Sequence, residues 1–171
     1  APTSSTTAAL VLGDALAIAL LEARGFTAED FAFSHPGGAL GRKLLLKVED
    51  VMASGADVPK VSPAATLADA LMEITAKGLG MTTVIEDSGR LLGIFTDGDL
   101  RRALDDRPDV NAVTIDALMS PGGKTIHVGT LAAESLGLME QHRISTLVVT
   151  DLKAEVVGVV HLLSLLRAGI A

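Results

Sequence analysis

The feature that most constrains this fold is a repeat inside the chain. Val51-Met52 is answered by Leu118-Met119, an offset of 67. Thr66-Leu67 is answered by Thr130-Leu131, and Met81 to Ile85 by Ser145 to Val149, both at 64. Gly93-Ile94-Phe95 is answered by Gly158-Val159-Val160 at 65, so the second hairpin turn is expected to be one residue longer. Matches in the same order over about 50 residues define two copies of one supersecondary unit.

Each copy reads as β-α-β-β-α. In the first, Thr66 starts a helix with Leu67, Ala70, Leu71 and Ile74 on one face, and Gly78 ends it. Met81 to Ile85 is a strand, Glu86 to Arg90 a hairpin turn with Gly89 where φ > 0 is useful, and Leu91 to Phe95 the returning strand. A helix over about 97–104 follows, then an acidic connector over 105–116 containing Pro108. The expected class is α/β (α+β). Neither copy can bury both faces of its sheet, so the two are expected to pack together with pseudo-two-fold symmetry. Clefts at such junctions suit small ligands.

Gly93 to Arg101 carries the most chemistry. An apolar strand runs into Thr96, and Asp99 follows at the spacing of a helix capping box. Helix N-termini gather free N–H groups and positive potential, which suits an anion, and a carboxylate there could hold a diol. The spacing admits both readings, a cap alone or a ligand turn. In the second copy His161 stands at the Thr position and Ser164 at the Asp position.

Residues 1–47 differ in texture. Thr3 to Thr7 is a hydroxyl run that could cap a helix or bind an anion. Ala8 to Arg24 is Ala- and Leu-rich and is closed by Gly25. This helix is apolar nearly all round and is expected to be buried in a larger body. Its run Leu10 to Leu21 contains Asp14 and is too short to span a bilayer. Thr27 to Asp30 opens a second short helix running to about Phe33, and Ser34-His-Pro-Gly-Gly-Ala-Leu-Gly-Arg-Lys43 is a loop followed by two bases. The chain begins with Ala1 rather than Met and reads as a fragment of a longer polypeptide.

The two repeats resemble a tandem pair of cystathionine β-synthase (CBS) domains, with the signature G-h-h-T-x-x-D at Gly93 to Asp99. The resemblance implies a nucleotide site with Thr96 on phosphate and Asp99 on ribose hydroxyls. From the residues themselves, Arg101-Arg102 could add charge for a ligand phosphate or form a solvated helix face, and His161, at a signature position, could line the second cleft. Residues 1–47 resemble the end of a sugar isomerase (SIS) domain. With Pro2 to Thr7, Gly13 to Leu16, the SHPGGALGRK run and Leu165 to Ala171, the whole chain resembles the C-terminal half of the arabinose 5-phosphate isomerase family. The resulting division is 1–47 SIS remnant, 48–107 first CBS domain and 115–171 second CBS domain.

For such an isomerase the resemblance implies aldose–ketose interconversion of sugar phosphates without cofactor, with His35 catalytic. Histidine suits proton shuttling near neutral pH. It also implies a homo-oligomer (a dimer of CBS pairs, a tetramer at full length). The implied effector is a nucleotide or nucleotide sugar such as CMP-Kdo, from the lipopolysaccharide branch that consumes arabinose 5-phosphate. The fragment alone is expected to be inactive. A stand-alone ligand sensor or an oligomerisation element is the alternative, and the SHPGGALGRK run argues against a pure sensor.

Several chemistries are excluded. With two aromatics in a hundred residues, no Trp and no Tyr, base-stacking platforms are not expected. A net charge of −7 disfavours nucleic-acid binding, and its unevenness places most of the acid after residue 47. There is no cysteine, and His127, His142 and His161 lack metal-ligand spacing, so no metal site is expected. Gly37 to Lys43 lacks the spacing of a phosphate loop. The five methionines fall on apolar positions and are expected in the core. No signal peptide is seen, and a cytoplasmic protein without membrane contact is expected.

Overall fold

The computed structural model describes residues 3–27, 30 and 45–170. The chain divides into two compact units, residues 1–45 and 46–171. His35 and the SHPGGALGRK loop lie outside the described residues.

The first unit contains helix α1, Ser4–Ala23. Gly25 takes φ 61° just beyond it, the left-handed conformation that glycine supplies at a helix C-terminus. The hydroxyl run does not cap: Thr3 makes no side-chain cap, and Thr7 Oγ1 donates back to the Thr3 carbonyl at 3.0 Å. None of its residues is buried and Leu10 is 65% exposed, so nothing among the described residues covers this apolar helix, whose expected burial is in a larger body than these residues form. The helix also runs well beyond the Leu10–Leu21 stretch. By length and mean hydropathy (20 residues, 1.7) it could cross a membrane, a test that core helices of soluble proteins and signal sequences also pass. Thr27 and Asp30 form the expected box, with Asp30 Oδ2 accepting from the Thr27 N–H at 2.8 Å and hydroxyl at 2.9 Å.

The second unit holds the repeats. Its strands are β1 (Ala53–Ser54), β2 (Lys60–Val61), β3 (Met81–Ile85), β4 (Leu91–Thr96), β5 (Ser120–Pro121), β6 (Thr125–His127), β7 (Thr146–Thr150) and β8 (Val156–His161). Its helices are α2 (Leu67–Lys77), α3 (Asp97–Asp105), α4 (Ala132–His142) and α5 (Leu162–Arg167). From β2 to β4, and from β6 to β8, every element begins 65 residues after its counterpart. The expected one-residue difference between hairpins is therefore corrected: β7 starts at Thr146, not Ser145, and the hairpins are equal. The cause is upstream. Gly78 and Arg143 both close their helices in the left-handed conformation, and the turn from that point to the strand has the same length. Likewise Leu131, not Thr130, stands at the N-cap position of α4, and it makes no side-chain cap.

The sheets do not follow the repeat boundaries. One sheet has the order β1-β8-β7-β6, the other β2-β3-β4-β5. Each takes an edge strand from the opposite repeat: β1 pairs antiparallel with β8, and β5 with β4. The segments leading to these strands cross as well. Val48 N–H donates to Thr130 O and Ala132 N–H to Leu46 O, while Leu67 N–H donates to Val113 O. Val48 lies in the core of the second repeat and Ile115 in that of the first, both fully buried. A third cluster of Val58, Met81, Val148 and Val159 joins the two sheets.

This exchange explains the signature glycines. A Cβ on Gly93 would lie 2.6 Å from both Met119 Sδ and Ser120 O, and one on Gly158 would strike Met52 Sδ and lie 2.9 Å from Ala53 O. Only a residue without a side chain lets the incoming edge strand approach. Met81 and Met139 are buried as expected, and Met52 and Met119 pack at these crossings. Met72 departs from expectation: it is 73% exposed, on the outer face of α2.

Candidate functional site

Thr96 ends β4 and caps α3. Its hydroxyl accepts from Asp99 N–H at 3.3 Å and donates to Asp99 Oδ2 at 2.6 Å, and its own N–H donates to the same oxygen at 2.9 Å. The other carboxylate oxygen, Oδ1, accepts from Ser120 Oγ at 2.6 Å and pairs with Arg102 Nη2. Ser120 lies on β5, so Asp99 ties the strand-to-helix turn of the first repeat to the strand donated by the second.

The Asp99 side chain is 4% exposed, with both oxygens engaged inside the protein. Burial pushes its carboxyl up. Hydrogen bonds from Ser120, the Thr96 hydroxyl and the Thr96 N–H, together with the Arg102 guanidinium, outweigh burial and hold it below the usual carboxylate range. Arg101 is exposed on the same helix, and it is Arg102 that reaches Asp99.

The second repeat builds the same turn from other chemistry. His161 caps α5, with Nδ1 accepting from Leu163 N–H at 3.0 Å. An accepting Nδ1 puts the proton of the neutral ring on Nε2. Burial holds the ring below its ordinary value, which keeps it neutral and preserves the cap. Ser164 stands where Asp99 does, and Ala53 on β1 where Ser120 does, so the buried carboxylate latch exists in one copy.

Between the repeats lies a cleft of about 500 Å³. Gly78 to Met81 and Arg143 to Thr146, related by the 65-residue offset, face it from opposite sides. Of the residues expected at a ligand site, Thr96 and His161 line this cleft; Asp99 and Arg101 do not. Asp97 and Gly98 line it as well, as do Lys124 and Arg143. The sequence reading missed Lys124 and Arg143. The signal available was the helix end at 143, where Gly78 is replaced by a cation. A wider hollow along α1 has only that helix for a wall and encloses nothing. Among the described residues no group of three or more His, Asp or Glu could hold a metal ion.

Comparison with known families identifies the module. The CBS domain model matches residues 48–106 and 115–171. The chain belongs to the CBS-domain family. Its CBS pair is similar to solved structures that include CBSX2 in complex with AMP (22% identity, TM-score 0.63, covering 73% of this chain and 96% of that one). CBSX2 is a protein of Arabidopsis thaliana. Another is the CBS domain pair of protein MJ0100 in complex with 5′-methylthioadenosine and S-adenosyl-L-methionine (21% identity, TM-score 0.62, 71% and 97%). These likenesses show the fold of the CBS pair. Over 170 residues the chain is 64% identical to arabinose 5-phosphate isomerase KdsD of Pseudomonas aeruginosa. That match covers 99% of this chain and 52% of the relative, so the chain spans about half its length.

Proposed function

We propose that this chain is the C-terminal half of an arabinose 5-phosphate isomerase, and that its CBS pair is the regulatory module of that enzyme. The observation that carries the reading is the 64% identity to KdsD over 170 residues, a match that runs through residues 1–47 as well as the CBS pair. In the complete enzyme a proton moves between C1 and C2 of the sugar phosphate through an enediol. His35 is our candidate for that proton transfer. The substrate phosphate and the remaining acid–base groups are held by the other half.

The effector is a nucleotide or nucleotide sugar in the cleft lined by Thr96 and His161, and CMP-Kdo is one candidate. Support comes from the cleft's size, its cations, and the adenosine-type ligands that CBSX2 and MJ0100 carry. Asp99 would have to exchange its Ser120 and Arg102 contacts to receive a ribose. The test is turnover of arabinose 5-phosphate by the full-length polypeptide, with and without AMP, CMP and CMP-Kdo. A change in rate of several-fold with one of them, at the wild-type cleft only, is expected. Near-wild-type turnover by His35→Ala would remove His35 from the chemistry.

Assembly is a second role, favoured by one observation. Met72, Leu104, Leu163 and Leu166, on α2, α3 and α5, are each between 46% and 73% exposed. Exposed apolar side chains of this size suit contact with another copy of the module in a homo-oligomer. Sedimentation of the chain and of its Leu163→Glu/Leu166→Glu variant tests this; an unchanged mass would sink it.

A further inference from the structure

The cleft straddles a pseudo-two-fold axis, yet its two walls are chemically unlike. On the second-repeat side stand Arg143, Lys124 and the hydroxyls of Ser145 and Thr146. Among the described residues neither cation side chain has an ion pair, and neither hydroxyl a hydrogen bond. His161 adds Nε2–H, the donor left to a ring whose Nδ1 is used. The opposite wall carries the Asp97 carboxylate and offers Leu79, Ile94 and the nearly buried Met81 as apolar surface, and its Thr96 O–H already donates to Asp99 Oδ2; Ile144 and Val148 add apolar surface on the second-repeat side. The symmetry positions sharpen the contrast. Lys124 replaces buried Pro59, and Arg143 replaces Gly78.

Arg143 carries a second, independent mark. It holds φ 55° and ψ 45°, where its counterpart Gly78 has φ 67° and ψ 23°. An arginine in the left-handed region is strained, and strain kept at one of two equivalent positions points to a use for the side chain there. A guanidinium is also the side chain best matched to the planar fork of a phosphate.

We infer that the cleft holds a single phosphorylated ligand in one orientation, its phosphate on Arg143, Lys124, Ser145 and Thr146 of the second repeat and its apolar ring against Leu79, Met81 and Ile94 of the first. This rests on the nucleotide reading above but reverses the placement implied by the Thr96–Asp99 signature. The signature turn then positions the cleft wall, and the degenerate repeat supplies the anion contacts.

Calorimetry on the 171-residue chain with adenosine, AMP and inorganic phosphate tests it. The expected result is one AMP per chain, bound at least ten-fold tighter than adenosine and displaced by phosphate. Arg143→Gly and Lys124→Ala should each weaken AMP five- to ten-fold and leave adenosine unchanged. Arg143→Gly restores the residue of the sister position, so it should fold, and unchanged circular dichroism checks that. Lys153→Ala, on a hairpin tip, controls for net charge. Binding of AMP that is indifferent to both variants overturns the orientation and leaves the nucleotide reading standing. Absence of binding by AMP and adenosine alike overturns both.

Discussion

At the scale of single residues, the Gly93–Asp99 turn combines two constraints from separate origins. The glycine is set by the edge strand that crosses it, and the Thr–Asp pair by the helix it starts. Gly93→Ala should cost about 1–3 kcal/mol in urea unfolding, because its methyl meets Met119 Sδ and Ser120 O at 2.6 Å and backbone cannot give way cheaply. Asp99→Ala should cost a comparable ~2 kcal/mol, since it orphans the Ser120 hydroxyl and the cap of α3 together. The pH dependence follows from the direction of the shift. A carboxyl held low in the fold contributes fully above its unfolded pKa of about 3.9, and the contribution fades as pH falls through the lower folded value. Asp99→Asn should flatten that acid limb, and an unchanged limb would count against the latch. His161 acts in the same sense at higher pH. Its depressed folded pKa means that the unfolded chain binds the proton more readily, so stability should fall as pH drops below about 6.5. His161→Asn, which keeps a capping oxygen, should remove that slope in thermal melts between pH 7 and 5.

At the scale of elements, the equal helix-to-strand turns matter most. Gly78 and Arg143 close α2 and α4 with the same geometry, and only one of them is free of side-chain strain. Replacing Arg143 by glycine should therefore raise stability by about 0.5–1 kcal/mol. Equal or lower stability would mean that the cation at the helix C-terminus offsets the strain through the helix dipole. These elements also mark what was legible in the sequence. Thr66, Gly78, Gly89 and the apolar faces of α2 and β3 announce themselves by local chemistry, and they stand where their spacing places them. The start of β7 lies one residue later than its spacing suggests, because the helix end at 143 is visible only by alignment with Gly78 and an arginine does not by itself announce a left-handed turn. Thr96 and His161 were legible as cleft residues, since one is a signature position and the other its counterpart. The engagement of Asp99 was not legible. Ser120 lies 21 residues away, and only the exchanged β5 brings it within reach.

At the scale of the whole second unit, the exchange of β1 and β5 makes two repeats into one cooperative body. Sequence repeats would suggest two independently stable copies, but Val48 and Ile115 each fill the core of the other copy. Residues 46–171 form a compact unit by themselves. Two truncations distinguish the cases. A chain beginning at Leu46 should unfold in one cooperative transition. A chain beginning at Gly55 loses β1, Val48 and Met52, which leaves the edge of β8 unpaired and opens a cavity beneath Gly158. Burying a valine alone stabilises by about 1.5–3 kcal/mol, and deleting a core side chain adds a cavity cost to that loss. The second truncation should therefore lose at least ~3 kcal/mol. The loss should appear in both repeats, read as faster amide exchange in β3 and β4 as well as in β7 and β8. Faster exchange confined to β7 and β8, with β3 and β4 unchanged, would mean that the sheets unfold separately. The latch at Asp99 would then bind the copies without making their stability common.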